Sequence, residues 1–179
     1  FDAARHKRDG FTSGVASVDN YLKLTARKLS AAHAAAVFVI ADHEQNIVGF
    51  YALAAITIDA SEAGGGKADK LFGKFNAVPA TLIAMLGVDQ RWQGQGIGKM
   101  LLADALRRAY AASREVGSYC VVLDVVEGEG FDKRVALYGK LGFRRCMTDK
   151  GVRMFLTMVD LGANLFAVGT DESIASNLE

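Results

Sequence analysis

Apolar and polar residues are arranged along this chain in blocks whose spacing switches between a helical and an extended period. Residues 18–29 place apolar side chains three or four positions apart, which predicts a first helix with Ser17 as its N-cap. Two β-type runs at 36–41 and 47–53, joined by a polar turn, predict a hairpin. Residues 59–78 are rich in Gly, Ala, Lys and Asp, which predicts a mobile loop with a short helix.

Strands and helices alternate in the rest of the chain. A 3.6-residue apolar period predicts a helix over 97–116, and a second, shorter helix ends before Gly142 and is followed by a short strand. Continuous apolar runs predict three more strands, at 82–88, 118–126 and 152–159. This order of elements predicts an α/β fold, in which a central mixed (α+β) sheet carries helices on both faces.

Composition narrows the class of protein. The 179 residues are 51% apolar, which suits one domain with a core over about 11–161 and a C-terminal tail over 162–179 that ends in a candidate cloning scar. A net charge of +1 excludes a global basic field, so any contact with nucleic acid must be local. The 3 His and 2 Cys have neither ligand nor disulfide spacing, so we expect no metal and a reducing, cytoplasmic location. We expect no membrane contact, because no long apolar span is present.

A glycine-rich loop at 89–99 lies between the predicted strand at 82–88 and the long helix. Its alternate glycines leave backbone N–H groups uncovered at a helix N-terminus, an arrangement that suits a pyrophosphate. A P-loop is excluded because Gln93 stands at the required glycine and Met100 at the required hydroxyl residue. A dinucleotide-binding loop is disfavoured because the spacing is Gly-x-Gly-x-Gly rather than Gly-x-Gly-x-x-Gly.

The remaining signature, Arg91-x-x-Gly94-x-Gly96, resembles the (Arg/Gln)-x-x-Gly-x-(Gly/Ala) motif of the GNAT superfamily of N-acetyltransferases. The resemblance implies the GNAT fold and acetyl-CoA as cofactor, with coenzyme A as product. It implies a cofactor site formed by the loop and the strand before it. We assign to that site Leu86, Val88, Arg91, Gln93, Gly94, Gln95, Gly96, Ile97, Gly98 and Lys99.

A second motif, running from Tyr138 to Gly142-Phe143, resembles the Tyr-x-x-x-Gly-Phe segment of the same superfamily. The resemblance implies that Tyr138 is the catalytic acid, protonating the departing thiolate, although a core aromatic is the alternative interpretation. It also implies that a backbone N–H between Leu86 and Val88 polarises the thioester carbonyl. Because no cysteine or serine stands in a nucleophile motif, direct attack by the acceptor amine is favoured over a covalent intermediate.

No histidine or carboxylate stands out as general base, although Glu127 and Glu129 are candidates. Deprotonating a lysine amine at neutral pH costs roughly 4 kcal/mol or more, whereas an α-amine of pKa about 7.7–8.0 costs nearer 1 kcal/mol. The sequence therefore favours an α-amine acceptor.

Further segments over about 11–161, among them Phe11-Thr12-Ser13-Gly14, resemble the acetyltransferase toxins of bacterial type II toxin–antitoxin systems. The resemblance implies acetylation of aminoacyl-tRNA, a ribbon-helix-helix antitoxin and a homodimer. Lys23, Arg27 and Lys28 are the first candidates for tRNA contact, although each basic cluster is also explained by solvation alone. Other basic candidates are Arg5-His6-Lys7-Arg8, Lys67, Lys70, Lys74 and Arg144-Arg145.

Two other functions stay open. One is an N-acetyltransferase of a small-molecule amine or protein N-terminus with no toxin role, which an acidic acceptor cleft would favour. The other is a catalytically silent module that binds acyl-coenzyme A, which any turnover would exclude.

Overall fold

The computed structural model describes residues 1–128, 130–146 and 151–167. A six-stranded sheet has the strand order β1-β2-β3-β4-β6-β5, and the predicted mixed α/β fold is confirmed. In chain order the elements are α1 (Ala16–Asn20), a π-helical segment (Tyr21–Thr25), α2 (Ala26–Ala31), β1 (Ala36–Ala41), β2 (Ile47–Ile58), α3 (Lys67–Phe72), β3 (Val78–Val88), a 3₁₀ turn (Gln90–Trp92), α4 (Ile97–Val116), β4 (Cys120–Asp124), α5 (Phe131–Lys140), β5 (Arg144–Arg145), β6 (Arg153–Thr157) and α6 (Met158–Ala167).

The chain forms two compact units, of which the first comprises Phe1–Ala54 and Ile83–Ala105. Its β1–β2 hairpin is antiparallel, with Phe38 opposite Tyr51, and the predicted hairpin is confirmed. Buried side chains from the segment before α1, the first helices, β1 and β2 form one apolar cluster: Phe11, Val18, Leu22, Ala26, Val37, Ile47, Phe50 and Ala52. Burying this cluster fixes the helical segment 16–31 against the hairpin.

The second unit comprises Ala55–Leu82 and the chain from Leu106 onward. Strand β6 pairs antiparallel with β4 and with β5, so that Phe155 lies opposite Val122 on one side and Arg144 on the other. Its buried cluster contains Ile58, Ala60, Ala63, Ala68, Val78, Ala80, Cys120, Val122, Cys146 and Phe155. Helix α3 contributes Ala68 to this cluster, so the short helix expected within 59–78 is confirmed.

The first helix differs from the prediction at its start. The N-cap is Val15 rather than Ser17, and no side chain caps the helix. Instead Asp19, in the first turn, accepts hydrogen bonds from the Ser13 backbone N–H at 2.7 Å and from the Ser13 hydroxyl at 2.6 Å. The carboxylate of Asp19 therefore fixes the entering chain, a role that the spacing Ser-x-x-x-x-x-Asp did not suggest.

The last predicted strand is too long, because Met158 and Val159 belong to helix α6 rather than to β6. The Thr157 hydroxyl accepts from the Asp160 backbone N–H at 3.1 Å and donates to the Asp160 carboxylate at 2.7 Å. The Thr157 hydroxyl thereby satisfies a backbone N–H in the first turn of α6, and β6 ends at Thr157. Helix α6 includes residues 162–167 of the predicted tail, and 168–179 lie outside the described residues.

Strand boundaries differ by a few residues elsewhere. Strand β2 continues to Ile58 and β3 begins at Val78, whereas β4 is shorter than the predicted run at 118–126. Within the described ranges, no helix has the length and apolar content needed to cross a membrane.

Candidate active site

The glycine-rich loop leaves the end of β3 through a 3₁₀ turn and enters helix α4. Gly94 and Gly96 have φ angles of +77° and +80°, a left-handed conformation that disfavours side chains. A Cβ built on either glycine meets no atom within 4 Å, so both open onto free space. The two glycines therefore shape a concave, uncovered backbone at the N-terminus of α4.

The backbone N–H groups of residues 94–99 donate no hydrogen bond to any residue that the structure describes. The first bond of helix α4 is donated by the Met100 N–H to the Gly96 carbonyl, at 3.1 Å. A row of unpaired donors at the positive end of a 20-residue helix attracts a multiply charged anion. The residues present thus fit a pyrophosphate.

Two polar side chains of the predicted cofactor set brace this loop. The Arg91 guanidinium donates to the Asp89 carboxylate through Nε at 2.8 Å and Nη2 at 3.0 Å. The Gln93 side-chain amide donates to the Val88 carbonyl at 3.0 Å and to the Ser13 carbonyl at 2.9 Å. Both side chains therefore hold the loop to the end of β3 and to the segment before α1.

Asp89 is the anchor of this arrangement, and sequence reasoning missed its role. Its side chain is fully buried, and it also accepts from the backbone N–H groups of Thr12 at 3.1 Å and Arg91 at 3.0 Å. Hydrogen bonding from the Arg91 side chain holds the pKa of Asp89 below its usual value, against the opposing effect of burial. An aspartate immediately after a strand, two residues before an arginine, was the available signal.

Leu86 and Val88 lie at the end of β3, where both are partly buried. Between them, Gly87 lies under the first helix: a Cβ added there would come within 2.5 Å of Val18 Cγ1 and 3.2 Å of the Phe50 ring. The absence of a side chain at 87 therefore lets α1 pack directly on the strand end that carries the predicted carbonyl-binding N–H.

Tyr138 belongs to the second unit and lies near the end of α5. Its carbonyl accepts from the backbone N–H groups of Leu141 and Phe143, and Gly142 between them has φ +90°. Its ring lies 5.9 Å from the Phe143 ring. Burial raises the pKa of the Tyr138 phenol, against the opposing charge of Arg134. The phenol is therefore protonated at neutral pH, as a proton donor must be.

The structure gives little support to the two candidate general bases, Glu127 and Glu129. Glu127 is exposed beyond the end of β4, and Glu129 lies outside the described residues. Among the described residues, no group of three His, Cys, Asp or Glu side chains has the geometry of a metal site.

The basic residues of the first helical segment have different environments. Lys23 is partly exposed in the π-helical segment, and Arg27 and Lys28 are exposed on α2. Leu24, between them, has 66% of its surface exposed. None of the three cations forms an ion pair with a described residue. Arg144, in contrast, bonds Asp160 at 3.1 Å and stacks on the Phe155 ring at 4.9 Å.

Comparison with known protein families and sequences agrees with this geometry. A family model described as an acetyltransferase (GNAT) domain matches residues 34–145. A probable toxin TacT of Sinorhizobium fredii is 34% identical and covers 89% of this chain and 90% of its own length. A tRNA-acetylating toxin of Mycobacterium tuberculosis is 30% identical, covering 86% of this chain and 87% of its own.

Solved structures share the fold. A mutant of KacT superposes with a TM-score of 0.79 at 23% identity, covering 93% of this chain and 95% of that one. AtaT complexed with acetyl-methionyl-tRNAfMet superposes with a TM-score of 0.75 at 19% identity, covering 90% and 94%. The expected fold and superfamily are confirmed. With its family match over most of the central sheet, the chain belongs to the GNAT acetyltransferases, which take their acetyl group from acetyl-CoA.

Proposed function

We propose that this chain transfers acetyl from acetyl-CoA to the α-amine of aminoacyl-tRNA by direct attack and thereby blocks translation as a toxin. The assignment of acetyl-CoA as cofactor is supported mainly by the row of unpaired N–H groups over 94–99. The acceptor part is supported by similarity to the tRNA-acetylating toxin of M. tuberculosis and by the fold shared with AtaT bound to acetyl-methionyl-tRNAfMet.

In this proposal, the loop holds the cofactor through backbone atoms. Gly94, Gln95, Gly96 and the first turn of α4, residues 97–99, donate N–H groups to the pyrophosphate. Arg91 and Gln93 keep those donors in place through their bonds to Asp89, Val88 and Ser13. Acetyl-CoA would supply the acetyl group as a thioester, and a backbone N–H in the range Leu86 to Val88 would polarise its carbonyl.

Direct transfer is supported by the state of both cysteines. Cys120 and Cys146 are buried, and burial raises the pKa of each thiol to about 12. A thiol of that pKa is not ionised at neutral pH and does not act as a nucleophile. The acceptor amine itself therefore attacks, and Tyr138 donates the proton that the leaving thiolate requires.

The acceptor is an α-amine because the described site offers little help with deprotonation. An α-amine of pKa about 7.7–8.0 is partly neutral at physiological pH, whereas a lysine amine of pKa about 10.4 is almost fully charged. Aminoacyl-tRNA presents such an α-amine. Lys23, Arg27 and Lys28, which have no ion-pair partner among the described residues, contact its phosphates in this proposal.

The proposal includes partners. Two AtaT structures contain the C-terminus of the antitoxin AtaR, and two further solved structures are a KacTA–DNA complex and an AtaT–AtaR complex bound to DNA. By analogy, we propose that a ribbon-helix-helix antitoxin neutralises this chain, that the chain is a homodimer, and that it acts in the cytoplasm, where charged tRNA is found.

The test is incubation of the purified protein with labelled acetyl-CoA and bulk charged tRNA. We expect label in the alkali-labile aminoacyl fraction, lost in Tyr138→Phe and retained in Tyr119→Phe. Tyr119 is a matched control because it is also a partly buried phenol, packed against Phe72. Label found only on small amines or on protein N-termini would refute the tRNA assignment and support the alternative acetyltransferase.

The basic residues have their own test. We expect the triple variant Lys23→Ala, Arg27→Ala, Lys28→Ala to raise KM for charged tRNA without changing the affinity for acetyl-CoA. Unchanged kinetics on charged tRNA would exclude these residues from the proposed contact.

A further inference from the structure

Helix α3 and the turn after it present an apolar surface to solvent between lysines. Phe75 has 78% of its surface exposed and Leu71 has 67%. Lys67, Lys70 and Lys74 are also exposed and form no ion pair with a described residue. A large exposed aromatic side chain beside a lysine is uncommon on a protein surface without a binding role.

The segment holds Phe75 outward by contacts on its other side. Phe72, three residues earlier, packs edge-on against the Tyr119 ring at 5.4 Å, and Ala68 is fully buried. Asn76, in a left-handed conformation with φ +44°, accepts from the Ala60 N–H at 3.1 Å and donates to Asp59 at 3.2 Å. Because Phe72 and Asn76 are both held by these contacts, Phe75 lies on the outer side of the segment.

The charge next to the ring is positive. The Lys74 ammonium lies 5.9 Å from the centre of the Phe75 ring, and Lys70 is exposed one turn earlier on α3. The acidic residue of the helix, Asp69, accepts a hydrogen bond from the Gly66 N–H at 2.9 Å and is engaged in the start of α3. The pairing of an open aromatic face with lysines is the combination by which proteins hold unpaired nucleotides, through stacking and phosphate contacts.

We propose that Phe75, Lys70 and Lys74 form a nucleotide platform that stacks an unpaired base of the acceptor tRNA on Phe75 and holds the adjoining phosphates with the two lysines. This inference rests on the proposed function for the identity of the RNA. It adds a contact surface on α3 to the first helical segment, and it predicts a specific dependence on an aromatic side chain.

The first test is direct binding of a fluorescent, unstructured oligoribonucleotide, followed by anisotropy. We expect Phe75→Ala to weaken binding about tenfold, since one stacked base contributes on that scale. Phe75→Trp should retain the affinity, and Phe75→Leu should lose it, because leucine keeps the apolar volume without a π face. Val116→Ala, which removes another exposed apolar side chain, is the control and should have no effect.

Salt dependence tests the lysines. Each phosphate contact with single-stranded RNA contributes about 0.7 to the slope of log affinity against log salt concentration. The double variant Lys70→Ala, Lys74→Ala should therefore lower that slope by about 1.4, whereas Phe75→Ala should leave it unchanged.

The second test is catalytic. Phe75→Ala should lower kcat/KM on charged tRNA and leave acetylation of a small aminoacyl amide, which has no nucleotides, unchanged. Absence of oligoribonucleotide binding by the wild type, equal binding by Phe75→Ala, or full binding by Phe75→Leu would overturn the proposal. If Phe75→Ala alters only the oligomeric state, the surface is a protein contact instead.

The two proposals fail in different ways. If the wild type does not acetylate charged tRNA, the proposed function is wrong, and the oligoribonucleotide assay still decides whether the platform binds RNA. If the wild type acetylates charged tRNA but Phe75→Ala behaves as wild type in both assays, only the platform is wrong.

Discussion

Replacing Asp89 by asparagine tests whether one buried carboxylate organises the cofactor loop. The substitution preserves the shape of the side chain but removes the charge that four N–H donors from Thr12 and Arg91 share. The asparagine also places an amide N–H group where only acceptors are needed. We expect the loop to lose its attachment to the segment before α1.

The expected loss of stability in Asp89→Asn depends on how exposed each hydrogen-bond partner of Asp89 is. The Arg91 side chain is 61% exposed, so its guanidinium returns to water at little cost in free energy. The two backbone donors lose bonds to a charged acceptor, each worth about 1.5–3 kcal/mol, and asparagine still satisfies one of them. We therefore expect Asp89→Asn to lower the free energy of unfolding by about 3 kcal/mol.

Urea denaturation with an unchanged m-value measures this loss, and calorimetry with coenzyme A measures the accompanying loss of cofactor affinity. Arg91→Gln is the matched control, because it removes the exposed partner and leaves the buried carboxylate with its backbone donors. We expect Arg91→Gln to lower the free energy of unfolding less than Asp89→Asn does. The reasoning is refuted if the two variants are equally destabilised, or if Asp89→Asn binds coenzyme A as tightly as the wild type.

Three further predictions concern pH, the loop glycines and the proton donor. The folded pKa of Asp89 lies below its unfolded value of about 3.9, so the stability that Asp89 contributes is fully present above that pH and is lost as pH falls through the folded pKa. The difference in free energy of unfolding between wild type and Asp89→Asn should therefore shrink as the pH is lowered. A difference that stays constant contradicts this. Gly96→Ala should cost about 1–2 kcal/mol and weaken coenzyme A binding, because φ is +80° there. Gly98 lies inside α4, where an added Cβ comes no closer than 3.7 Å to Val88, so Gly98→Ala should raise the free energy of unfolding in urea by about 0.5–1 kcal/mol. A stabilising Gly96→Ala together with a destabilising Gly98→Ala would be inconsistent with the described loop. Tyr138→Phe should lower kcat by about 10²–10⁴-fold with KM for acetyl-CoA unchanged; since burial raises the phenol pKa, wild-type kcat should not fall with rising pH below about 10, and an alkaline limb near pH 8 would exclude Tyr138 as the acid.

The sequence was most informative where backbone geometry and residue type are tightly linked. Glycines at 94 and 96 before a helical period predicted an anion-binding helix start, and the positive φ angles and unpaired N–H groups agree with that prediction. Both motifs and the hairpin were also visible, because each depends on local spacing alone.

Other features depend on contacts that a one-dimensional pattern does not contain. The predicted first helix contains a π-helical segment at Tyr21–Thr25, between α1 and α2, which its apolar spacing did not indicate. Arg91 was assigned to the cofactor site from its motif, but the bonds that join Arg91 to Asp89 and Asp89 to the distant Thr12 are not visible in that motif. Helix α6 was missed although Thr157-x-x-Asp160 is a capping pattern, because the apolar run through it also fits a strand.

The close seating of Val18 on Gly87 has a mechanical consequence. The helical segment that carries the proposed RNA-binding cations contacts, through Val18, the strand end proposed to orient the acyl group, so we expect a displacement of one to shift the other. Evolution therefore has little freedom to change which RNA is captured without also shifting the reaction geometry. Changes of specificity in this segment are expected to appear as paired changes in kcat and KM.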